Sequence, residues 1–142
     1  MEQFDYSSPR LYFITICAAE HKHLFGSIIS TTENGFMQLN TCGELLKNHI
    51  ERLKGRYQNV AVTNYVIMPN HVHMILDIDN NNRIPVTQII GLFKLGFSKE
   101  IGFSAWQRSF YDHIIRNEAE YKRINDYIDN NPAKWTIDKY YC

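Results

Sequence analysis

A chain of 142 residues is long enough to bury a hydrophobic core unaided, which predicts one domain over residues 1–142. Apolar residues make up 44% and charged residues 21% of the chain, the balance of a soluble globular protein. Lysine plus arginine total 15, as do aspartate plus glutamate, so the formal net charge is zero. The chain therefore has no overall field that attracts nucleic acid, and any such binding must use local basic patches.

The N-terminal segment, MEQFDYSSPR, lacks the basic and then apolar pattern of a secretory signal. No apolar run in the chain approaches the ~20 residues that are needed to span a bilayer. Cys17, Cys42 and Cys142 show no CxxC spacing, which argues against a zinc knuckle or a disulfide framework and suits a reducing compartment. We therefore expect a cytoplasmic protein with no membrane partner.

The first predicted elements are strands. Leu11–Cys17 is rich in β-branched and aromatic residues, which favour a strand buried on at least one face. A second strand is predicted over residues 24–29, and a short extended piece over residues 36–39. The N-terminal third of the chain is therefore expected to contribute mainly to a sheet.

The first helix is predicted to begin at Thr41, because Thr41 and Glu44 match a capping box and apolar residues recur at helical spacing to about Leu53. Gly55 is its predicted C-terminal stop. The end of this helix is the most basic stretch of the chain. The simpler interpretation is a solvated helix C-terminus, where the dipole favours cations, and the functional one is a patch that contacts phosphate. Its cations are Lys47, Arg52, Lys54 and Arg56.

Polar and apolar residues alternate from position 65 to position 78, the period of a half-buried strand. The alternation predicts a core face that includes Val66, Met68 and Val72. Proline cannot donate to a strand ladder, so Pro69 marks either a bulge or edge in one strand, or the junction of two strands over residues 59–67 and 71–78.

His71 and His73 fall on the face opposite that core. Residues i and i+2 of a strand have Cα atoms roughly 7 Å apart on one side, so two imidazoles can converge on one metal ion or one phosphate. By itself a His-x-His pair on a strand is more often two solvated or hydrogen-bonded histidines. The pair alone does not decide between these interpretations.

A second helix is predicted over Val86–Ile101, with Pro85 near its N-terminus and an apolar stripe on one side. Lys94 and Lys99 lie outside this stripe, where they reach solvent or nucleic acid. The next segment, residues 106–115, alternates again and predicts a strand near a sheet edge, because Asp112 interrupts its apolar side.

A third helix is predicted to begin at Asn117, because Asn117 and Glu120 form an Asn version of a capping box. Pro132 ends it near residue 130 or 131. Tyr127 lies beside the core stripe of this helix, and Asn131 follows it on the same side one turn later.

The strings MPNHVHMIL, WQRSFYDH and YIDNNPAKW carry a resemblance to a known family, and their order and separation match over nearly the whole chain, which implies a core at about 11–135. The chain resembles the single-tyrosine HUH transposases, named for a His-hydrophobe-His motif, and most closely the REP-associated tyrosine transposases. The resemblance implies an α+β domain with an RRM-like or ferredoxin-like antiparallel sheet, helices mainly on one face, and a late catalytic helix.

The resemblance also implies the site. His71, His73 and Asn131 would hold a divalent ion, Mg²⁺ or Mn²⁺, and Tyr127 would be the nucleophile that forms a 5′-phosphotyrosine with DNA. Imidazole suits Zn²⁺, Cu²⁺ or Ni²⁺ at least as well, whereas the Asn131 amide oxygen and phosphate oxygens favour harder ions. Tyr121 is the competing nucleophile, and its position in the apolar stripe predicts a core residue instead.

The expected partner is single-stranded DNA next to a hairpin, and a homodimer is one of the arrangements that the resemblance implies. An RRM-like binding or regulatory module without turnover is one alternative. A replication initiator or relaxase is another, although it usually needs a longer chain and a third histidine ligand. The candidate DNA contacts are basic residues on the two first helices and near the predicted edge strand: Lys47, Arg52, Lys54, Arg56, Lys94, Lys99, Arg108 and Arg116.

Overall fold

The computed structural model describes residues 10–30, 35–79 and 81–137. These residues form an α+β fold with strands and helices in mixed order, as predicted. The strands are β1 (Leu11–Cys17), β2 (Gly26–Ser30), β3 (Gly35–Leu39), β4 (Val60–Met68), β5 (His71–Ile78) and β6 (Tyr111–Ile114). The α-helices are α1 (Thr41–Arg56), α2 (Val86–Ile101) and α3 (Glu118–Asn130), and a 3-10 helix, Pro132–Ile137, follows α3.

The central sheet is antiparallel and has the order β4-β5-β1-β6, while β2 and β3 form a separate hairpin. β1 has the predicted bounds, and its two neighbours in the sheet come from distant parts of the chain. This order places β5, which carries both histidines, at an interior position between β4 and β1.

The stretch around Pro69 is a hairpin of two strands, which settles the alternative that the sequence left open. Pro69 and Asn70 form the turn between β4 and β5. The prediction that Val66 and Met68 share the face of Val72 was wrong: Val66 pairs with His73 across the hairpin, and Met68 pairs with His71. Directly paired residues share a face, so the chain reversal moves these β4 residues to the histidine side.

Helices cover both faces of the sheet, two on one side and one on the other. The main core lies between the sheet and the pair α1 and α2, and it includes Ile14, Ile16, Leu46, Ile50, Val72, Met74, Leu76, Ile89, Ile90 and Phe97. A smaller cluster on the opposite face joins the sheet to α3 through Leu11, Phe13, Ile75, Ile115, Ile124 and Ile128. The predicted late helix therefore packs against the face that carries the histidines.

The helix ends follow local capping chemistry. Asn40, and not Thr41, caps α1: its side-chain oxygen accepts from the Gly43 N–H at 2.8 Å. The helix also continues through Gly55 to Arg56, past the predicted stop. α2 has the predicted bounds, and Asn117 caps α3 by accepting from the Glu120 N–H at 2.8 Å.

The predicted strand over residues 106–115 is mostly loop, and only Tyr111–Ile114 pairs with β1. The reason is that the Lys94 ammonium donates to the carbonyl of Gln107 at 2.8 Å and to those of Arg108 and Ser109 at 3.4 Å. Carbonyls that converge on one amine cannot form a regular ladder. None of the helices in the described ranges is both long and apolar enough to cross a membrane.

Candidate active site

The two histidines of β5 lie in a continuous row across the sheet. His73 pairs with Val66 of β4 on one side and with Thr15 of β1 on the other, and Thr15 also pairs with Tyr111 of β6. His71 and His73 are both fully buried, as is Thr15. The solvated interpretation of this His-x-His pair is therefore wrong, since burial of two imidazoles requires specific polar partners.

Each imidazole is held through its Nδ1 atom. His71 Nδ1 donates to Asn70 Oδ1 at 2.7 Å, because an amide oxygen can only accept. His73 Nδ1 and Thr15 Oγ1 form a hydrogen bond of 2.8 Å. When Nδ1 carries the proton of a neutral imidazole, Nε2 keeps a lone pair. These partners thus orient the rings and leave the Nε2 atoms as the available ligand atoms.

The Nε2 atoms of His71 and His73 are 3.1 Å apart. Two nitrogen ligands at about 2.1 Å from one ion, with an angle of about 90–110° between them, lie ~3.0–3.4 Å apart. The observed separation therefore fits two ligands of a common ion. Within the described ranges, no three His, Cys, Asp or Glu side chains cluster as a metal site, so any further protein ligand must be of another type.

Asn131 offers such a ligand. Its side chain is buried, and Oδ1 has no hydrogen-bond partner among the described residues. Burial of an unsatisfied polar atom costs roughly 1–3 kcal/mol, which a cation at that oxygen would offset. Asn131 lies four residues after Tyr127, whose ring contacts His73, and four residues before Trp135, whose ring contacts His71. The donor set of two imidazoles and one amide oxygen fits a divalent ion.

Thr15→Val is expected to lower Mn²⁺ affinity on the order of 10- to 100-fold, because outer partners of a ligating histidine commonly contribute that much. Valine keeps the size and shape of threonine but removes the hydroxyl that binds His73 Nδ1. Thr15→Ser is the matched control, since it keeps the hydroxyl. Titration of free Mn²⁺ by electron paramagnetic resonance measures both variants, and equal affinity of Thr15→Val and the unmodified chain would contradict the role.

The Tyr127 ring contacts this pair of histidines. Its centroid is 5.2 Å from that of His73, with the planes at 60°, and 6.3 Å from that of Phe13 in an edge-on contact. Phe13 in turn stacks on His73 at 5.3 Å. The three rings form one aromatic unit on the sheet, so α3 places Tyr127 beside the histidines of its own chain.

Polar contacts anchor α3 to the sheet edge. Asn64 lies at a bulge in β4, where the register with β5 shifts between Val62 and Asn64. Its side-chain amide donates to Asn125 Oδ1 at 2.6 Å and to Asp129 Oδ1 at 3.0 Å. Asn125 and Asp129 flank Tyr127 on the helix, so these contacts fix the distance between Tyr127 and the sheet.

Two other tyrosines are held in structural roles. Tyr121 packs against the smaller hydrophobic cluster, as predicted from its helical stripe. The Tyr65 hydroxyl donates to Glu51 at 2.9 Å, and burial together with this bond raises the pKa of Tyr65 to about 12. A phenol with a raised pKa loses its proton less readily, which disfavours Tyr65 as a nucleophile.

Sequence reasoning did not identify three residues of this site. Thr15 and Asn70 hold the imidazoles, and the Trp135 ring stacks on His71 with centroids 6.1 Å apart and planes at 22°. Asn70 was detectable, because it stands next to His71 in a turn. Thr15 was not, because its contact depends on the register between β1 and β5, which are more than fifty residues apart in the chain.

The four candidate DNA contacts on α1 lie on the helix layer opposite the histidine face, and all four are exposed. Lys54 pairs with Glu51 at 3.3 Å, and Arg52 approaches Glu100 at 3.7 Å. Arg56 lies over the Tyr57 ring at 5.9 Å. The α1 cations are therefore separated from the histidines by the sheet, and at least two of them have acidic partners.

The remaining candidate contacts divide into two kinds. Lys94 is half-buried beneath the loop whose carbonyls it binds, and this burial lowers the pKa of its ammonium group. Lys99, Arg108 and Arg116 are exposed. Lys94 thus has a structural task in the fold, whereas the other three present their charge to solvent.

Relatives of this chain occur in two bacteria. A Haemophilus influenzae protein described only as uncharacterized is 35% identical over 99% of this chain and 90% of its own length. A second protein of that species, provisionally named a REP-associated tyrosine transposase, is 26% identical over 92% of this chain and 74% of its own length. The REP-associated tyrosine transposase of Escherichia coli K12 is 29% identical over 68% of this chain and 58% of its own length.

The fold is also similar to a solved structure, that of a REP-associated tyrosine transposase bound to a REP hairpin. The TM-score is 0.70 at 23% sequence identity, and the match covers 94% of this chain and 73% of that chain. This likeness confirms the predicted fold class. No protein-family model matches the chain.

Proposed function

This chain belongs to the family of single-tyrosine transposases that includes the REP-associated enzymes, and from that premise we propose that it is a metal-dependent DNA strand transferase with Tyr127 as its nucleophile. One observation carries the proposal: the Tyr127 ring lies 5.2 Å from the imidazole of His73, whose Nε2 is 3.1 Å from that of His71. A phenol beside two converging metal-ligand atoms is the arrangement that this chemistry needs.

His71, His73 and Asn131 would hold the divalent ion, and Thr15 and Asn70 would orient the two imidazoles. When bound there, the ion supplies positive charge that offsets the negative charge of the phosphodiester and the repulsion it exerts on a nucleophile. The amide oxygen of Asn131, together with phosphate oxygens, favours Mg²⁺ or Mn²⁺ over softer ions.

Tyr127 would attack the phosphorus atom of a single-stranded DNA. The bond between phosphorus and its 3′-side oxygen breaks as the bond to Tyr127 Oη forms, which leaves a 5′-phosphotyrosine and a free 3′-hydroxyl. The phenolic proton passes to solvent, and the departing oxygen takes up a proton. Because free tyrosine has a pKa near ~10, the proton must be lost during the attack.

The same residues would also serve the rejoining step. A 3′-hydroxyl from another strand attacks the phosphotyrosine, which restores a phosphodiester and releases the phenol of Tyr127. The covalent link conserves the energy of the broken bond, so strand transfer needs no nucleotide cofactor.

The proposed substrate is single-stranded DNA beside a hairpin, supported by the structural neighbour with its bound REP hairpin. Within this chain α3 packs against the sheet through Asn64 and the smaller hydrophobic cluster, which supports a site whose catalytic and ligand residues all come from one chain. A homodimer is therefore compatible with this arrangement but is not needed to complete it.

The test is to incubate the chain with Mn²⁺ and a hairpin oligonucleotide with single-stranded flanks, labelled in turn at its 3′ and 5′ ends. We expect a denaturing gel to show a protein adduct that carries the 3′ label and a released fragment that carries the 5′ label. The reverse pattern would mean attack on the other side of the phosphate. Binding without any adduct, at any divalent ion tested, would favour the binding or regulatory module.

A further inference from the structure

We propose that the groove beside the C-terminal end of α2 binds the unpaired nucleotides that flank the cleaved phosphate. This basic groove has a volume of about 830 Å³, and its walls include Leu95, Lys99, Phe103, Trp106 and Arg108. The inference rests on the proposed function and adds to it a separate binding surface for the single strand.

The walls of the basic groove expose large apolar side chains. Leu95 is 64% exposed and Phe103 is 53% exposed, and they lie close together around the end of α2. The ring of Phe103 is the exposed aromatic surface of the groove, and exposed aromatic rings are the surfaces on which the unpaired bases of single-stranded nucleic acids stack. Every base offers a ring face, so this mode of binding tolerates many sequences.

The charge of the groove is unbalanced, although the net charge of the chain is zero. Lys99 and Arg108 are exposed and line the groove, and neither forms an ion pair with a described residue. Arg52 and Lys54 on α1, by contrast, lie within 4 Å of glutamate oxygens, at 3.7 Å from Glu100 and 3.3 Å from Glu51. Two unbalanced cations beside the exposed ring of Phe103 complement a nucleic acid strand, which presents phosphates and bases together.

Hydrogen bonds between α2 and the loop that follows it fix the shape of the groove. Lys94 binds the carbonyls of residues 107–109, and the Ala105 N–H donates to Ser98 Oγ at 3.1 Å. Gly102 ends α2 in the left-handed conformation, with φ of +88°, so the chain can turn sharply into the loop that carries Phe103. A preformed surface loses little conformational entropy when a ligand binds.

The groove adjoins the end of the sheet where His71 begins β5. Trp106 forms an isolated bridge with Ala18, whose N–H donates to the carbonyl of Asn70 at 2.8 Å. The Gln107 N–H donates to the carbonyl of Cys17, which pairs with His71, at 2.9 Å. Two short backbone connections therefore join the groove wall to the turn that positions the first histidine.

A short segment of chain connects the groove to the edge of the sheet that carries the histidines. The chain runs from Arg108 to Tyr111 of β6, which is 44% exposed and whose ring meets Phe13 edge-on at 6.3 Å. Phe13 stacks on His73. Because β6 is the edge strand of the central sheet, we infer that the unpaired bases run over this edge, past Tyr111, from the histidine face to the groove.

The test uses fluorescence anisotropy with two labelled oligonucleotides, a hairpin with single-stranded flanks and the same hairpin without flanks. Phe103→Ala should weaken binding of the flanked hairpin roughly tenfold. The double substitution Lys99→Ala with Arg108→Ala should reduce the slope of log K against log[salt] by about 1.4, the value for two lost contacts to a single strand. Neither change should alter binding of the hairpin without flanks.

The matched control is Arg52→Ala with Lys54→Ala, which removes the same charge from α1. This variant should keep the salt slope of the unmodified chain. Equal losses in both double variants, or equal losses with and without flanks, would overturn the groove as a single-strand site. Adduct formation is measured separately. If the chain forms the adduct but the groove variants bind the flanked hairpin normally, only the groove proposal is wrong. If the groove variants lose flank binding but the chain forms no adduct, only the proposed chemistry is wrong.

Discussion

Tyr127→Phe should abolish the covalent protein–DNA adduct while DNA binding and Mn²⁺ affinity stay unchanged. The substitution removes only the phenolic oxygen, which is the proposed nucleophile, so the rate of adduct formation should fall at least ~1000-fold. Phenylalanine keeps the ring that contacts His73 and Phe13, so the helix should remain docked on the sheet. A denaturing gel after incubation with the flanked hairpin and Mn²⁺ measures the effect.

Tyr121→Phe is the matched control for that experiment. Tyr121 stands on the same helix and packs against the smaller hydrophobic cluster, and within the described ranges its ring does not contact either histidine of the site. This variant should form the adduct at the normal rate. An adduct that survives Tyr127→Phe and disappears in Tyr121→Phe would exchange the roles of the two tyrosines, and one that survives both changes would point to another nucleophile.

His73→Ala should remove most of the Mn²⁺ affinity, and His71→Ala should have a similar effect. Each substitution removes one of two Nε2 atoms that are 3.1 Å apart, so the ion loses half of its imidazole ligands. We expect a fall in affinity on the order of 100-fold or more, measured by calorimetric titration. Adduct formation should fall with it, and excess Mn²⁺ should restore part of the rate.

The histidine variants need a control for lost packing, because both side chains are fully buried. His49→Ala removes an imidazole from a different place, where His49 bridges α1 and α2 by a 2.7 Å contact with Glu100. It should lower the melting temperature without changing Mn²⁺ affinity. If all three variants lose Mn²⁺ affinity equally, loss of stability explains the result, and the metal site is not where we propose it.

Local patterns predicted those elements whose ends are set by nearby residues. α2 begins after Pro85 and ends before its Gly102 cap, and α3 begins after the Asn117 cap, so these bounds follow from chemistry within one helical turn. The segment before Tyr111 was mispredicted for the opposite reason. Its alternating residues resemble a strand, but the Lys94 ammonium of a distant helix binds its carbonyls and holds them in a loop.

The sequence by itself determined which residues are candidates for the site: the spacing of His71 and His73 allows their imidazoles to converge, and the resemblance to a family implies roles for Tyr127 and Asn131. Only the tertiary structure decided how these side chains are supported. Thr15 reaches His73 through strand pairing, and α3 docks on the histidine face through a bulge at Asn64. Strand register and helix docking depend on contacts between residues far apart in the chain, whose free energies no local pattern of residues contains.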